Sequence, residues 1–344
     1  MSLSLRPLLV ALLLALAPAP VRAQSDASLV ERFEQAEAAG NHAQALEAAL
    51  AITARHPESA VWAFNAARMH ARLDHPQDAV AFLKKAADAG YSGIDSFDQH
   101  TDLDSLRARP DFAPVRDAIR ANADARVAEF RAAALAHTHP VYTPRKLPKD
   151  AKPGAIIALH GSGGNGAQML QACRAACNEL DMICIAPDAI REHGTGYAWT
   201  YRDEATWLIE HMVDVAVNEH GADPERIYLV GFSQGANIAL VLAKTRPQRF
   251  AGIIPVCGHY EPNLAALADN ATPPPMCLIT GQRDRAKDTY TQAEADFIAL
   301  GAPATLRVVD GMGHSMIKGK DLTDAIAWCA SARIQTRDTP RPAN

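Results

Sequence analysis

The stretch Ile227-Tyr-Leu-Val-Gly-Phe-Ser-Gln-Gly-Ala236 is the strongest indication of how this chain folds. Four mostly β-forming apolar residues lead into Gly231-Phe-Ser-Gln-Gly235, and a helix-forming run continues to Lys244. A strand, a Gly-x-Ser-x-Gly turn and a helix in succession are the sequence form of a nucleophile elbow. The flanking glycines let neighbouring backbone approach without a Cβ clash. The alternative is an ordinary strand–helix turn in which Ser233 only caps the helix.

Length and composition indicate two domains and argue against nucleic-acid binding. The chain has 344 residues, of which 48% are apolar, so it can bury more than one hydrophobic core. Its formal net charge is -5, and it contains no basic tract of the kind that binds nucleic acid.

Residues 1–23 have the pattern of a secretory signal peptide. Arg6 precedes an apolar run over residues 8–17, and Val21-Arg-Ala23 puts small residues at two positions of a cleavage site. The run is too short to span a membrane, although an N-terminal membrane anchor is the alternative. We therefore expect an exported protein, periplasmic or extracellular, without a transmembrane segment after cleavage.

The six cysteines all lie after residue 170 and lack the paired spacing of a zinc site, so no metal is predicted. An exported protein can hold disulfides, but sequence alone does not give their pairing. Cys184, Cys257 and Cys277 lie in strand-like apolar runs, where buried thiols are the simpler interpretation.

Residues 24–136 are predicted to form an all-α domain of helical hairpins ending in a linker helix. Equivalent residues such as Leu50 and Leu83 are 33 positions apart, and a period of 33–34 with two helices per unit is typical of such repeats. The stretch resembles tetratricopeptide repeats without meeting their full consensus. Their concave face commonly binds a partner, so a protein partner is one expectation. A plain helical cap without a ligand is the alternative.

Residues 137–344 are predicted to form a second domain, in which short apolar runs alternate with helical patterns. This alternation indicates a parallel sheet covered on both faces, with functional groups at the carboxyl ends of its strands. Strands are predicted over residues 155–159, 182–186, 227–230, 252–256, 276–279 and 306–309. Helices are predicted over residues 167–180, 204–220, 234–245, 288–300 and 321–330.

A glycine-rich loop, His160-Gly-Ser-Gly-Gly-Asn-Gly166, follows the first of these strands. Its backbone N–H groups could bind a phosphate, but the Gly-Lys-Ser/Thr close of a phosphate-binding loop is absent. With Ser233 downstream, half of an oxyanion hole is the better interpretation. The donors would be the amides of Ser162 and Gln234, with Gly163 as an alternative to Ser162.

Two further strand ends carry a carboxylate and a histidine, Asp284 and His314. A histidine can remove the proton of a serine, and a carboxylate fixes the tautomer of that histidine. The chain order Ser, Asp, His also fits this type of sheet. Asp288 and Asp310 are rival acids, but Asp288 is predicted to cap the next helix and Asp310 lies on the histidine's own strand end. We therefore predict Ser233 as nucleophile, His314 as base and Asp284 as acid.

Residues 139–333 resemble the α/β-hydrolase superfamily, above all its carboxylesterase, phospholipase and dienelactone-hydrolase-like esterases. The matching motifs are the glycine-rich loop, the Gly-x-Ser-x-Gly turn, Gly281-x-x-Asp284 and Gly313-His314. The resemblance implies a mostly parallel sheet with helices on both faces. It also implies a serine hydrolase that cleaves carboxylic esters through an acyl-enzyme, without a cofactor. Ala236 departs from the family, in which a second glycine is frequent at that position.

The loop over residues 191–201 is predicted to form the substrate side of the site. Gly194 and Gly196 give it mobility, and its aromatic residues could line an acyl or aromatic pocket. A surface loop with packed aromatics is the alternative. The loop is too short for a large lid, which favours small or accessible esters. Four side chains are predicted to bind the substrate: His160, Tyr197, Trp199 and Tyr201.

Two other classes of function stay open at this stage. A thioesterase or a peptidase would use the same three residues, although peptide cleavage usually needs a larger capping element. A non-catalytic scaffold would bind a protein through the helical repeats and keep the second domain as a relic.

Overall fold

The computed structural model describes residues 25–147, 152–263, 265–268 and 271–338, with residues 336–338 described by their backbone alone. The predicted signal peptide, residues 1–23, therefore lies outside the described residues, as do residues 148–151 of the predicted second domain. The chain divides into two compact units, of which one ends at Arg126 and the other begins at Val127. The domain boundary predicted from the sequence follows residue 136, at the end of the helix that contains Arg126 and Val127.

The first unit consists of two helical hairpins followed by short helices. Its principal elements are helices α1 (Asp26–Ala38), α2 (His42–Arg55), α3 (Ala60–Arg72), α4 (Pro76–Asp88) and α5 (Ile94–Gln99), a 3-10 helix (Thr101–Leu106) and the start of α6 (Phe112–Ala136). Helices α1 and α3, like α2 and α4, begin 34 residues apart, which agrees with the periodicity of the sequence. Membership in the tetratricopeptide class stays a prediction.

Small side chains explain how these helices pack so closely. Ala45, Ala48 and Ala49 recur at helical spacing on α2 and are fully buried, so neighbouring backbones can approach. Asp102 of the 3-10 helix is buried and accepts a hydrogen bond from Arg68 of α3 at 2.8 Å. This buried ion pair holds the short helices against the second hairpin.

The central sheet of the second unit is mostly parallel, as predicted. Its order is β1-β3-β2-β6-β7-β8-β9, and β1 alone runs antiparallel to its neighbour in the described part of the chain. The strands are β1 (Val141–Tyr142), β2 (Gly154–Leu159), β3 (Met182–Ile185), β6 (Ile227–Phe232), β7 (Gly252–Val256), β8 (Met276–Gly281) and β9 (Ala304–Val309). A separate antiparallel hairpin consists of β4 (Glu192–His193) and β5 (Gly196–Tyr197).

Helices cover both faces of this sheet because its strands are apolar on both sides. Ala155 and Ile157 of β2 point into one core, which also contains residues of α8, α9, α10 and the end of α6. Ile156 and Ala158 point into the other core, which contains residues of α7 and α11. The helices are α7 (Gly166–Leu180), α8 (Arg202–Asn218), α9 (Gln234–Thr245), α10 (Lys287–Ala299) and α11 (Lys320–Asp338). The predicted α/β-hydrolase fold is confirmed.

Element ends differ from the predictions where pairing or packing continues past the sequence signal. Strand β8 runs on to Gly281 because Thr280 and Gly281 still pair with β9. The prediction that Asp288 caps the following helix is wrong. Helix α10 begins one residue earlier, and the cap position is held by Ala286.

All six cysteines are buried as free thiols, which confirms the simpler interpretation of those in the strand-like runs. None of the described helices combines the length and the apolar character that a membrane span requires.

Candidate active site

Ser233 lies at the tip of a sharp turn between β6 and α9. Its φ of 52° and ψ of -116° are rare for any residue other than glycine, so the turn holds local backbone strain. The side chain makes no capping hydrogen bond to α9, which excludes the simple helix-cap interpretation. The turn therefore presents Oγ away from the helix that follows it.

The two glycines of the motif permit this turn because backbone groups pass close to both. A Cβ on Gly231 would lie 2.4 Å from the carbonyl oxygen of Gly235. A Cβ on Gly235 would lie 2.6 Å from the carbonyl oxygen of Leu159 at the end of β2. Any larger residue at either position would push α9 away from the sheet and displace the serine.

His314 joins Ser233 to Asp284 through a continuous chain of hydrogen bonds. Its Nε2 lies 2.9 Å from the Ser233 Oγ, and its Nδ1 lies 2.7 Å from the Asp284 Oδ2. The His314 ring also packs against Phe232, with ring centroids 5.2 Å apart. The rival acids Asp288 and Asp310 form no hydrogen bond to this ring among the described residues. The three predicted residues thus meet at the carboxyl ends of β6, β8 and β9.

Asp284 is buried, and each oxygen of its carboxylate has a hydrogen-bond partner. Oδ2 faces His314, and Oδ1 accepts the Ala286 N–H at 2.7 Å. Burial opposes ionisation, but the Ala286 amide, the Cys257 thiol and His314 together hold the pKa of Asp284 below its ordinary value. The acid therefore stays charged and can orient the imidazole.

Cys257, at the carboxyl end of β7, is a partner of this acid that the sequence analysis did not assign. It has a φ of 52°, unusual for a residue other than glycine, and its thiol is buried. Burial and the neighbouring Asp284 raise the pKa of the Cys257 thiol to about 11, so the thiol stays protonated. It donates to the backbone carbonyls of Ser315 at 3.6 Å and Gly313 at 3.9 Å, on either side of His314. The position of Cys257 directly after a central strand is the sequence feature that could have indicated a place in the site.

The glycine-rich loop passes directly beside the serine. A Cβ on Gly161 would lie 3.1 Å from the Ser233 Cβ. The Gly163 amide donates to the Tyr197 carbonyl at 2.9 Å, so the alternative that Gly163 supplies an oxyanion donor is wrong. The amides of Ser162 and Gln234 have no hydrogen-bond acceptor within the described ranges. They are the two that remain able to bind an oxyanion.

Trp199 connects the two backbone segments that carry these amides. Its backbone N–H donates to the Gln234 Oε1 at 3.0 Å, and its indole Nε1–H donates to the His160 carbonyl at 2.9 Å. The side chain itself is buried. Trp199 therefore holds the turn after Ser233 in register with the glycine-rich loop instead of lining a pocket.

His160 is likewise buried, with both ring nitrogens bonded to backbone. Its Nε2 accepts the Ala189 N–H at 3.1 Å, so Nδ1 carries the proton and donates to the Gly161 carbonyl at 2.7 Å. Burial lowers the pKa of His160, which keeps the ring neutral. No polar atom is left for a substrate, and the predicted substrate contact is corrected to a supporting role.

The two predicted tyrosines also lie away from the open side of Ser233. Tyr197 pairs its backbone with the glycine-rich loop, donating to the Gly164 carbonyl at 2.9 Å. Tyr201 precedes α8, and the Arg191 guanidinium lies 5.6 Å from its ring centre. The alternative of a surface loop with packed aromatic residues therefore describes these tyrosines better than a substrate pocket does. The edge of the β4–β5 hairpin is occupied by the glycine-rich loop.

An open cavity of about 420 Å³ lies on the other side of Ser233. Seven of its ten lining residues were not predicted as site residues, although two of them flank Asp284 in the sequence and could have been noticed there. The lining residues are Ser233, Asn237, Cys257, Gly258, His259, Arg283, Asp284, Arg285, Ala286 and His314. This cavity, rather than the aromatic loop, is therefore the candidate space for a substrate that approaches the hydroxyl.

Ligand atoms of Cys257, Asp284 and His314 lie within 4.8 Å of one another, close enough to hold a metal ion. Two of these groups, the His314 ring and the Asp284 carboxylate, are already joined by a hydrogen bond. The expectation that the site needs no metal or cofactor stays a prediction.

The site joins a hydroxyl, an imidazole and a carboxylate in this order and has two free amides beside the hydroxyl. This is the arrangement of serine hydrolases with the α/β-hydrolase fold. The imidazole can deprotonate the hydroxyl, and the amides can stabilise a tetrahedral oxyanion.

Comparison with known proteins relates the chain to carboxylic ester hydrolases. Residues 202–329, which include all three hydrogen-bonded residues, match the family described as Phospholipase/Carboxylesterase. The protein NocK of Nocardia uniformis subsp. tsuyamanensis, which is named as an esterase, is 29% identical over 56% of this chain and 56% of its own. The chain thus spans about half the length of that relative.

Two further similarities cover nearly the whole of a smaller protein. Acyl-protein thioesterase 1 of Eremothecium gossypii is 26% identical over 58% of this chain and 97% of its own. The crystal structure of esterase PE8 aligns with a TM-score of 0.45 and 23% identity, covering 58% of this chain and 98% of that one.

Proposed function

We propose that the protein is a serine hydrolase that cleaves carboxylic esters through an acyl-enzyme on Ser233. The observation that carries this proposal is the position of His314, within 2.9 Å of the Ser233 Oγ and 2.7 Å of Asp284. The similarity of the chain to named esterases supports the same class of reaction.

In the first half-reaction His314 takes the proton of Ser233 as the hydroxyl attacks the ester carbonyl carbon. The charged Asp284 stabilises the imidazolium that forms and keeps Nδ1 protonated. The carbonyl oxygen becomes an oxyanion, which the amides of Ser162 and Gln234 bind. His314 then gives its proton to the leaving alcohol, and the acyl group stays on Ser233.

In the second half-reaction water attacks the acyl-enzyme. His314 now accepts a proton from that water, and the tetrahedral oxyanion binds the same two amides. Collapse of the intermediate returns the proton to the Ser233 Oγ and releases the carboxylic acid. Both half-reactions use the same catalytic residues and the same two amides. A change that displaces any of these groups should therefore slow both half-reactions.

Covalent labelling tests the proposal directly. A fluorophosphonate probe should label the purified protein at Ser233, and the label should be absent from the Ser233→Ala variant. A panel of 4-nitrophenyl esters of increasing acyl length, together with a feruloyl ester, would then define the acyl preference. A folded wild-type protein that takes up no label would instead favour the non-catalytic scaffold.

A thioesterase is the second candidate, because acyl-protein thioesterase 1 aligns along nearly its whole length. The two reactions share the nucleophile and differ in the leaving group. An oxygen ester and a thioester of the same acyl group, compared by kcat/KM, separate them. A preference for the thioester of more than about a hundredfold, beyond its greater intrinsic reactivity in water, would favour this candidate over the esterase.

The N-terminal features support two subsidiary proposals. We propose that residues 1–23 direct export and that the helical hairpins, as tetratricopeptide-like repeats, bind a protein partner. Fractionation of cells that make the full chain, with mass spectrometry of the mature N-terminus, tests export. Retention of an uncleaved chain in the cytoplasm would contradict it.

A further inference from the structure

We infer that the cavity beside Ser233 selects esters that carry a negative charge, such as a carboxylate, on the acyl or the alcohol part. The inference rests on the proposed function and names its substrate class. It follows from two arginines that line the cavity, neither of which is needed for the acyl-transfer steps themselves.

Two arginines line the cavity on either side of the buried acid. Arg283 and Arg285 alternate with Asp284 along the chain, so the carboxylate turns inward to His314 while both guanidinium groups stay exposed. Guanidinium groups offer several N–H donors in a planar fork that matches carboxylates. The loop thus presents cation donors within the space that leads to the Ser233 hydroxyl.

Neither arginine is neutralised by a carboxylate in the part of the chain that the structure describes. Arg283 donates to the backbone carbonyl of Gly311, which leaves its formal charge uncompensated. Arg285 makes no hydrogen bond or ion pair with the described residues. Positive charge therefore collects here although the whole chain has a formal net charge of -5.

The acidic groups nearby are already engaged or lie outside the lining. Asp284, the only carboxylate among the described residues of the lining, is bonded to His314 and the Ala286 amide. Glu261 lies 3.5 Å from the ring of His259, at the rim. An anionic group that enters the cavity thus meets two unpaired guanidinium groups and no free carboxylate of the lining.

A neutral cavity would have been sufficient for simple esters. Exposed arginines cost nothing when the cavity is empty, since water solvates them, but they favour an anionic ligand over a neutral one of the same shape. Because the charges are partly exposed, the selectivity should be moderate and should weaken at high salt.

Matched ester pairs test the inference in two arms. The acyl arm compares 4-nitrophenyl hemiglutarate with 4-nitrophenyl valerate, and the alcohol arm compares the valeryl esters of 4-hydroxybenzoate and 4-hydroxybenzamide. In at least one arm, wild-type kcat/KM should be about tenfold higher for the anion, after correction for reactivity in water. The arm that responds identifies which part of the ester carries the charge.

Substitution of the arginines connects the preference to the cavity. Arg285→Gln should lower the anion-to-neutral ratio of kcat/KM about fivefold to tenfold, Arg283→Gln should act in the same direction, and Arg285→Glu should invert the ratio. The matched control is Arg174→Gln, which removes the same charge from an exposed position on α7 that lies outside the lining. The ratio in this control should equal that of the wild type.

The outcomes separate the inference from the proposed function. Hydrolysis of the neutral esters without an anionic preference in either arm would overturn the substrate class and leave the esterase intact. An anionic preference that survives both arginine substitutions would overturn the role of this cavity. Failure to hydrolyse any ester, together with failure to label Ser233, would overturn both.

Discussion

The two sides of Ser233 differ in how their side chains are used. On the glycine-rich side the polar atoms of His160 and Trp199 all bond to backbone or to the Gln234 side chain, and both residues are buried. On the cavity side Arg283 and Arg285 are exposed and meet no carboxylate among the described residues. Side chains of the first kind fix where backbone amides lie, whereas those of the second kind stay available to a ligand. We therefore expect the first side to support the chemistry and the second to face the substrate.

The largest expected effect comes from the buried acid on the cavity side. Asp284→Asn should lower kcat about 10⁴-fold because the amide no longer fixes the tautomer of His314. The nearby Asp288→Asn serves as the control, since Asp288 lies in the first turn of α10 and does not touch His314. Ester hydrolysis by both variants checks this, and equal losses would mean that the acid has been assigned wrongly.

The support provided by the glycine-rich side can be broken at one hairpin residue. A Cβ on Gly196 would lie 2.4 Å from the carbonyl oxygens of Gly163 and Gly164, so Gly196→Ala should displace the loop. We expect kcat to fall about 10²-fold, as for the loss of one oxyanion donor, with a smaller change in KM.

The matched control for this substitution lies on the same hairpin. Gly194 has a φ of 61°, which asparagine tolerates, and a Cβ at this position would have no other atom within 4 Å. Gly194→Asn should therefore retain most of the wild-type kcat. A loss as large as that in Gly196→Ala would show that hairpin flexibility, and not loop position, controls the rate.

The acid side has a smaller support in Cys257. Cys257→Ala removes a thiol that helps to keep the pKa of Asp284 low and that donates to the carbonyls of Gly313 and Ser315, and it should lower kcat about tenfold. Cys257→Ser restores a donor at the same position and should recover most of that loss. If serine and alanine behave alike in steady-state kinetics, the thiol matters only for packing.

The smallest effect concerns the pH dependence of stability on the glycine-rich side. Burial lowers the pKa of His160 in the folded protein, whereas the unfolded chain keeps a value of about 6.5. The unfolded state therefore binds more protons below that pH, so the stability contributed by neutral His160 is present above about pH 6.5 and is lost as the pH falls.

Denaturant unfolding at pH 7.5 and pH 5.5 measures this difference. His160→Gln should lose less of its free energy of unfolding between the two pH values than the wild type does. His193→Gln, which changes an exposed histidine of the β4–β5 hairpin, should keep the wild-type dependence. An unchanged dependence in His160→Gln would contradict the account of the buried ring.

The parts of the fold that depend on local pattern could be predicted from the sequence. Apolar runs of strand length and helical periodicity located the helices and strands named in advance to within a few residues at most ends. Helix α11 is the main exception, because it continues to Asp338, past the predicted end at residue 330. Element ends follow pairing and packing, which a local pattern does not contain.

The site could be predicted where chain order and strand ends are sufficient. Ser233, Asp284 and His314 each follow a strand of a parallel sheet, so their meeting follows from topology, and their catalytic roles stay predictions until the variants are measured. The orientation of side chains does not follow from topology. Aromatic content suggested a pocket at Trp199, but the hydrogen bonds of its indole and backbone depend on distant segments that sequence cannot place.

The backbone conformation of Ser233 has a consequence for how this residue is retained. At a φ of 52° glycine is the residue that a stable turn would favour, by about 1 kcal/mol or more. A Ser233→Gly protein should then be sturdier than the active one while hydrolysing nothing. Selection for stability alone would replace this serine with glycine. A protein that retains the hydroxyl is therefore less stable than it could be, and the retained hydroxyl is what catalysis requires.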